Sequence, residues 1–225
     1  MEYLFDTANL AELKRCAAVF PYTGVTGNPT ILKAEGDVPF FEQIRAIRRI
    51  IGPERSLHVQ VVASTAEMIC AEAHRLLREI DDRIYIKILT DEEGLRAMQM
   101  LKAEGVRITA TGIYYRAQGF LAIVAGADYI APYCNRMANQ DIDFKATVSA
   151  LRHMIDENGA ATRIVAASFH NIGQVNDALL AGAHCVTVPP ALLHTALAAP
   201  AIHAAAEGFA ADWRAIHGDR GICDL

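Results

Sequence analysis

Residues 84–111 read IYIKILTDEEGLRAMQMLKAEGVRITAT and contain a complete strand–helix–strand unit. The first six residues are apolar apart from one lysine and a tyrosine, which predicts a buried strand. Residues 91–104 begin with three acidic side chains and end before Gly105, a pattern typical of a helix with a favourable macrodipole and a glycine C-cap. Residues 107–111 predict a second strand. A unit of this kind favours two parallel strands joined by a crossover helix.

The same alternation of strand and helix runs along the whole chain. Strands are predicted at residues 3–6, 24–26, 57–62, 84–89, 107–111, 129–131, 164–167 and 185–188. Helices are predicted at residues 11–19, 40–51, 65–79, 91–104, 114–125, 144–157 and 172–181, with one more at 201–217. Eight strands is the number that a (β/α)8 TIM barrel needs. An open doubly wound sheet is the alternative, but no strand is followed by a glycine-rich dinucleotide- or phosphate-binding fingerprint.

The domain organisation follows from the absence of any low-complexity linker. We predict a single α/β barrel domain over residues 1–225. Residues 200–225 lie beyond the eight units and form a predicted C-terminal helical extension. Such a helix packs either on a barrel end or on another subunit, and the residue pattern leaves both open.

Composition excludes several classes of protein. The 225 residues are 52% hydrophobic and 21% charged, which excludes wholesale disorder. The formal net charge of -5 does not favour a nucleic-acid or anionic-membrane partner. The 5 cysteines are widely spaced and the 8 histidines form no cluster, so we predict neither a disulfide framework nor a metal site. With no signal-like or membrane-spanning run, the chain is predicted to be cytoplasmic.

Lys87 is the most informative single residue. A charged lysine is costly to bury. A lysine among the apolar residues of a strand therefore indicates a role for its side chain that offsets this cost. Burial lowers the pKa of a lysine and leaves a free amine, the nucleophile that forms an imine with a carbonyl. The alternative is a lysine at a strand end whose ammonium reaches solvent.

Other polar residues stand at or near predicted strand ends, where a barrel carries its catalytic groups. Asp6 could move a proton, or it could cap the next helix. Gln60 interrupts an apolar strand and, if buried, needs hydrogen bonds either within the core or to substrate or water. Thr111 and Tyr133 also stand at or near predicted strand ends, and each could form hydrogen bonds either within the core or to substrate or water.

Three residues late in the chain are candidates for an anion site. Arg136 could bind a phosphate bidentately or form a surface ion pair. Ser168 directly follows the seventh predicted strand, and late barrel loops frequently bind phosphate. His170 lies two residues further and would on its own be a surface histidine. Together, the strand-end residues place a lysine, a carboxylate, an amide, a phenol and an arginine at the same end of one barrel.

Blocks of sequence along nearly the whole chain carry a family resemblance. They are LFDTAN (4–9), GVTGNPT (24–30), VQV (59–61), IKI (86–88), KAEG (102–105), AQG (117–119), AGADY (125–129), APY (131–133), NR (135–136), AASF (166–169) and LAG (180–182). With these blocks in this order, the chain resembles the small transaldolase family, which includes fructose-6-phosphate aldolases.

The resemblance implies a class I aldolase that forms a Schiff base and cleaves or forms the C3–C4 bond of a ketose phosphate such as fructose 6-phosphate. Lys87 matches the imine-forming lysine, and Asp6 matches the carboxylate beside it. Gln60, Thr111 and Tyr133 match the positions that hold a catalytic water and an acid/base hydroxyl. No cofactor or metal is implied, because the protonated imine itself withdraws the electrons.

The resemblance also implies where the substrate binds. Asn28 and Thr26 belong to the block at the substrate's polar end, while Arg136 and Ser168 match the phosphate end. His170 stands where relatives usually carry lysine or arginine, and a histidine is only partly charged at neutral pH. A different phosphosugar, an unphosphorylated ketose or a sulfo-sugar therefore stays open. The C-terminal helix implies a homo-oligomer, a pentamer or a decamer.

Three other functions remain open at this point. A transaldolase would transfer the dihydroxyacetone unit to an aldose phosphate acceptor, but such enzymes tend to carry glutamate in place of Gln60 and phenylalanine in place of Tyr133. A catalytically silent barrel would only bind sugar phosphates, which the retention of Lys87 and Asp6 disfavours. Another lysine-dependent barrel lyase would not carry the blocks quoted above.

Overall fold

Eight short strands run parallel and close into a barrel in the computed structural model, which describes residues 1–225. Each strand pairs with the next along the chain, and the first pairs with the last. They are β1 (Glu2–Asp6), β2 (Gly24–Thr26), β3 (Ser56–Gln60), β4 (Tyr85–Leu89), β5 (Ile108–Ile113), β6 (Tyr129–Pro132), β7 (Arg163–Ala166) and β8 (Cys185–Val188). The predicted TIM barrel is confirmed, and the open doubly wound sheet is excluded because the closed barrel has no unpaired edge.

Helices connect the strands and cover the outside of the barrel. They are α1 (Leu10–Ala17), α2 (Pro29–Lys33), α3 (Phe40–Ile51), α4 (Ala66–Glu79), α5 (Glu92–Ala103), α6 (Arg116–Val124), α7 (Cys134–Ala138), α8 (Phe144–Glu157), α9 (Ile172–Leu180), α10 (Pro190–Leu197) and α11 (Pro200–His217). Side chains cap several of their first turns, namely Asn9, Asn28, Asp91, Asp143 and Asn171. Each cap satisfies a backbone N–H that the helix start leaves free, which fixes where the helix begins after its strand.

The two faces of each strand meet different surroundings, because successive side chains point to opposite sides. Phe5, Ile86 and Ile88 face outward and belong to the large apolar core between barrel and helices. A smaller cluster fills the barrel interior, and it includes Leu4 and Tyr129. The polar residues of the candidate site share that inward face at the carboxyl ends of the strands.

Three short helices lie outside the predicted set: α2, α7 and α10. The first two have 5 residues each, too few for an apolar period to show in the sequence. The third begins at a proline and is apolar almost throughout, so it also lacks a periodic signal. Because α2 follows β2 and α7 closely follows β6, both helices lie at the end of the barrel where the strands finish.

Gly94 lets α5 pack closely against the end of β4. A Cβ atom at this position would lie 1.9 Å from the backbone carbonyl oxygen of Leu89. Any larger side chain would push α5 away from the strand. The glycine within this otherwise regular helix is therefore explained by the close approach to the strand that carries Lys87.

The predicted C-terminal extension is present as α11. None of its 18 residues is buried, and Ile202, Phe209 and Ile216 expose large apolar side chains along it. Its start at a proline and its end at Gly218 follow the usual chemistry of helix termini. No helix of the structure combines the length and apolar character needed to cross a membrane.

Candidate active site

A cavity of about 200 Å³ opens at the carboxyl ends of the strands and brings most of the predicted site residues together. Those that line it are Asp6, Asn28, Lys87, Tyr133, Arg136, Ser168 and His170. Clefts of about 410 and 490 Å³ lie elsewhere on the protein, but most of their lining residues are hydrophobic. The smaller cavity is the candidate site because buried titratable groups converge on it.

Lys87 lies in the middle of β4 with its side chain inside the barrel, and the residue is only 3% exposed. Its ammonium donates a hydrogen bond to the carbonyl oxygen of Gly27 at 3.4 Å. Burial lowers the pKa of Lys87, the negative charge of Asp6 opposes that shift, and the positive charge of Arg136 adds to it. A lowered pKa increases the fraction of neutral amine that can attack a carbonyl. The alternative of a lysine that reaches solvent is excluded by the burial.

Asp6 ends β1 and accepts a hydrogen bond from the Thr26 hydroxyl at 2.7 Å. Burial raises the pKa of the Asp6 carboxyl, while the charge of Lys87 and the Thr26 hydrogen bond act in the opposite direction. Helix capping does not account for this residue, because Asn9 caps α1. Asp6 is therefore a carboxylate held near a buried lysine, where it can accept or return a proton.

Tyr133 follows β6 and brings its phenol into the cavity, with only 9% of the residue exposed. The Thr111 hydroxyl donates to the phenol oxygen at 3.0 Å. Burial raises the pKa of Tyr133, and the Thr111 hydrogen bond and the charge of Arg136 oppose the shift. The phenol therefore keeps its proton at neutral pH and can act as a proton donor. Thr111 is fully buried behind it and does not line the cavity itself.

Gln60 stands beside Lys87 in the register of β3 and β4 but does not line the cavity. It borders a narrow space under β2 and the apolar cleft beside α2 and α3. Its Oε1 atom is buried and has no protein hydrogen-bond partner. A buried acceptor without a partner is costly, so this oxygen is available to a water molecule or a substrate hydroxyl.

Arg136, Ser168 and His170 form one side of the cavity. The Arg136 guanidinium lies 4.8 Å from the centroid of the Tyr133 ring and donates to the Tyr114 hydroxyl at 3.2 Å. Ser168 has a φ of 62°, a left-handed backbone conformation that is uncommon for a residue with a side chain. An arginine held in place beside a strained loop is suited to an anionic group.

Asn28 has two roles in this site. Its side-chain oxygen accepts from the N–H of Ile31 at 3.0 Å and caps α2, and Pro29 occupies the first helical position. The same residue lines the cavity, so its amide nitrogen can face a substrate. Thr26, by contrast, is buried at 2% exposure and contacts Asp6 rather than the cavity.

Sequence reasoning missed two residues that shape the site. Tyr114 orients Arg136, and Thr187 on β8 lies 2.6 Å from Thr26, oxygen to oxygen. Neither follows a recognisable spacing rule, since each contact joins distant parts of the chain. The asparagine–proline pair at residues 28–29 is a standard helix-start signal, and it could have revealed α2.

Comparisons with known proteins agree with this geometry. A model of the family described as Transaldolase/Fructose-6-phosphate aldolase matches residues 3–219. A "Probable fructose-6-phosphate aldolase" of Streptococcus pneumoniae (strain ATCC 700669 / Spain 23F-1) is 47% identical over 222 residues. That alignment covers 99% of this chain and 100% of the relative. With a closed parallel barrel, a buried lysine at its mouth and these two matches, the chain belongs to the transaldolase/fructose-6-phosphate aldolase family.

Proposed function

We propose that this protein is a lysine-dependent aldolase that cleaves or forms the C3–C4 bond of a ketose phosphate such as fructose 6-phosphate. The observation that carries the proposal is the Lys87 side chain, buried inside the barrel beside Asp6 and open to a cavity. The family and the relative's name support an enzyme of the aldolase or transaldolase type. In the cleavage direction the products are dihydroxyacetone and glyceraldehyde 3-phosphate.

The proposed reaction begins when the neutral Lys87 amine attacks the ketose carbonyl. Loss of water gives a protonated imine, which withdraws electrons from the C3–C4 bond. Asp6 takes up the proton of the C4 hydroxyl as that bond breaks, and glyceraldehyde 3-phosphate leaves. A three-carbon enamine remains on the lysine. Protonation of the enamine at C3 and addition of water then release dihydroxyacetone and restore the amine.

The proton transfers are assigned from the contacts of each group. Asp6 lines the same cavity as Lys87, and the charge of each group acts on the pKa of the other, so we assign to Asp6 the protons that are received and returned as the imine forms and hydrolyses. Tyr133 supplies a proton through its phenol, which Thr111 orients. The free Oε1 of Gln60 supports a water molecule beside the lysine. Burial keeps these groups out of bulk water, so each proton transfer takes place between groups that the protein holds in position.

Substrate binding is assigned to the other side of the cavity. Arg136 and Ser168 bind the phosphate, with His170 at the edge. Asn28 contacts the hydroxyls of the dihydroxyacetone part. A histidine rather than a lysine or arginine stands at this edge of the cavity, so an unphosphorylated or sulfonated ketose stays in the proposal as a second substrate class.

A phenol at the cavity favours aldol cleavage over transfer to an acceptor. Tyr133 can protonate the enamine and so release the three-carbon unit, whereas transfer requires the enamine to survive until an aldehyde binds. The test is turnover of fructose 6-phosphate without an added acceptor aldehyde. Release of free dihydroxyacetone is expected. A strict requirement for an aldose phosphate acceptor would contradict the aldolase and support a transaldolase.

The same preparation allows a comparison of substrates. The ratio kcat/KM is measured for fructose 6-phosphate, fructose and sulfofructose. A large preference for fructose 6-phosphate is expected from the guanidinium of Arg136 in the cavity. Equal or better turnover of either alternative would shift the proposal to that substrate class.

We further propose that residues 1–225 act as one domain and that residues 200–225 contact neighbouring subunits of a homo-oligomer, a pentamer or decamer. The support is the exposed apolar surface of α11, including Ile202, Phe209 and Ile216. Size-exclusion chromatography with light scattering tests this. A stable monomer would contradict it.

A further inference from the structure

We propose that Thr187 is a positioning residue for Asp6 and acts through Thr26, as the outer donor of a directed chain of two hydroxyl groups. This inference rests on the proposed function, in which Asp6 exchanges protons beside Lys87. It adds a residue that is separated from Asp6 by 181 positions in the chain.

The chain of hydroxyls crosses the inside of the barrel. β1 is flanked by β2 on one side and by β8 on the other, and these two strands carry Thr26 and Thr187. The two hydroxyl oxygens lie 2.6 Å apart, and Thr26 Oγ1 lies 2.7 Å from the Asp6 carboxylate. Both threonines are 2% exposed. Both contacts are therefore short and shielded from solvent. The positions of the two hydroxyl protons depend on the neighbouring protein groups rather than on water.

The direction of the chain depends on the charge of Asp6. An ionised carboxylate only accepts hydrogen bonds, and each threonine hydroxyl has one proton to donate. With Asp6 ionised, Thr26 donates to Asp6 and Thr187 donates to Thr26, so every proton has an acceptor.

A protonated Asp6 either keeps accepting from Thr26 through Oδ1 as a weaker, uncharged acceptor, or donates to Thr26 and reverses both bonds. In the reversed arrangement the Thr187 proton would need a second acceptor, but the only side chain or backbone group in hydrogen-bonding contact with this hydroxyl is Thr26. A buried donor without an acceptor is unfavourable. The arrangement therefore stabilises ionised Asp6 and holds one carboxylate oxygen towards Thr26.

This effect opposes burial. Burial raises the pKa of Asp6, and the Thr26 hydrogen bond and the charge of Lys87 lower it again. The other charged or titratable groups around the cavity are Tyr133, Arg136 and His170, on or after β6 and β7. On β3 the buried imidazole of His58 is neutral, since burial and the charge of Lys87 lower its pKa to about 3. Neither β2 nor β8 supplies a charge facing Asp6, so their contribution is the hydroxyl chain.

The experiment compares Thr187→Val with Thr187→Ser. Valine keeps the shape of threonine without the hydroxyl, whereas serine keeps the hydroxyl. Thr109→Val is the matched control, because it removes another buried interior hydroxyl, one that contacts His58 at 2.7 Å. Circular dichroism establishes that each variant is folded.

The first readout is a titration of the Asp6 carboxyl by 13C NMR, assigned with an Asp6→Asn variant. In Thr187→Val the titration midpoint is expected to rise by about half a pH unit or more, since part of the support for the ionised form is lost. The serine variant and the Thr109→Val control are expected to titrate like the wild type. An unchanged midpoint in folded Thr187→Val would overturn the proposal, and so would an equal rise in Thr187→Ser.

The second readout is the pH profile of kcat/KM for fructose 6-phosphate. In Thr187→Val the acidic limb of this profile is expected to move to higher pH by about half a unit. At pH values on that limb, kcat/KM should therefore be about threefold lower than in the wild type. If the wild type does not cleave this substrate, the proposed function fails, while the carboxyl titration still decides the role of Thr187. Should the wild type be active and both readouts stay unchanged in Thr187→Val, only the inference about Thr187 fails.

Discussion

The Thr111 hydroxyl donates a 3.0 Å hydrogen bond to the phenol oxygen of Tyr133, and so joins β5 to the residue that follows β6. Both residues are buried, and burial raises the pKa of the phenol. The hydrogen bond fixes the phenol oxygen at the cavity while leaving its proton free to be donated. Within the proposed mechanism, this pair delivers the proton that frees the three-carbon product.

Replacement of Tyr133 by phenylalanine tests that role. The Tyr133→Phe variant is expected to lose about a hundredfold in kcat for fructose 6-phosphate cleavage, because a positioned general acid typically contributes this much. Its Lys87 should still form an imine, since the amine and Asp6 are unchanged. Steady-state kinetics measure the first effect and borohydride trapping the second. The matched control is Tyr115→Phe, at an exposed tyrosine outside the cavity. Wild-type cleavage by Tyr133→Phe would remove the phenol from the mechanism.

The sensitivity of the fold to acid is expected to depend on His58. This ring is fully buried, stacks on Tyr85 at 4.7 Å between centroids and contacts Thr109. Burial lowers its pKa to about 3, with the charges of Lys87 and Arg48 adding to the shift. In the unfolded chain the imidazole binds a proton near pH 6.5. The unfolded state therefore gains protons first, and the free energy of unfolding falls as the pH decreases from about 6.5 towards about 3.

A His58→Phe variant should lose much of this pH dependence. One such group contributes a slope of up to about 1.4 kcal/mol per pH unit within that window. Urea unfolding at a fixed protein concentration between pH 4.5 and 7.5 measures the slope. His153→Phe, at an exposed position on α8, serves as the control and should keep the wild-type slope. Identical slopes in wild type and His58→Phe would show that the buried imidazole does not govern acid stability.

The anion site gives a third prediction. Arg136→Met should raise KM for fructose 6-phosphate by at least about tenfold, because a charge-assisted hydrogen bond contributes ~1.5–3 kcal/mol. Fructose, which has no phosphate, should be affected much less. Arg116→Met is the control, since Arg116 is exposed on α6 and does not line the cavity. Equal losses for fructose and fructose 6-phosphate would mean that Arg136 does not bind the phosphate.

The main features of the fold were accessible from the sequence because they depend on local signals. Strand bounds agree with the structure to within two residues, since short apolar runs between caps and glycines mark them clearly. Lys87 was conspicuous for a related reason: a charge inside an apolar strand contradicts the local pattern. Because barrels carry their catalytic groups at the carboxyl ends of the strands, the sequence also predicts that Asp6, Tyr133 and Arg136 lie at the same end of the barrel.

The finer construction of the site was not accessible, because it depends on contacts between distant segments. The sequence places Thr26 among the substrate-binding residues. In the structure, its hydroxyl instead forms hydrogen bonds with Asp6 and Thr187 inside the barrel. The hydrogen bond from Arg136 to Tyr114 likewise joins residues on two different loops. Short helices such as α7 carry no period of their own, and their position follows from the strands that precede them.

The most direct test of the proposed mechanism is covalent trapping at Lys87. The protein is incubated with dihydroxyacetone and borohydride, and the modified residue is mapped by peptide mass spectrometry, with Lys87→Met as the control. We expect a reduced three-carbon adduct on Lys87 in the wild type and no adduct at any other lysine in either protein. The absence of an adduct at Lys87 in both trials, first with dihydroxyacetone and then with fructose 6-phosphate, would contradict an imine mechanism for this barrel.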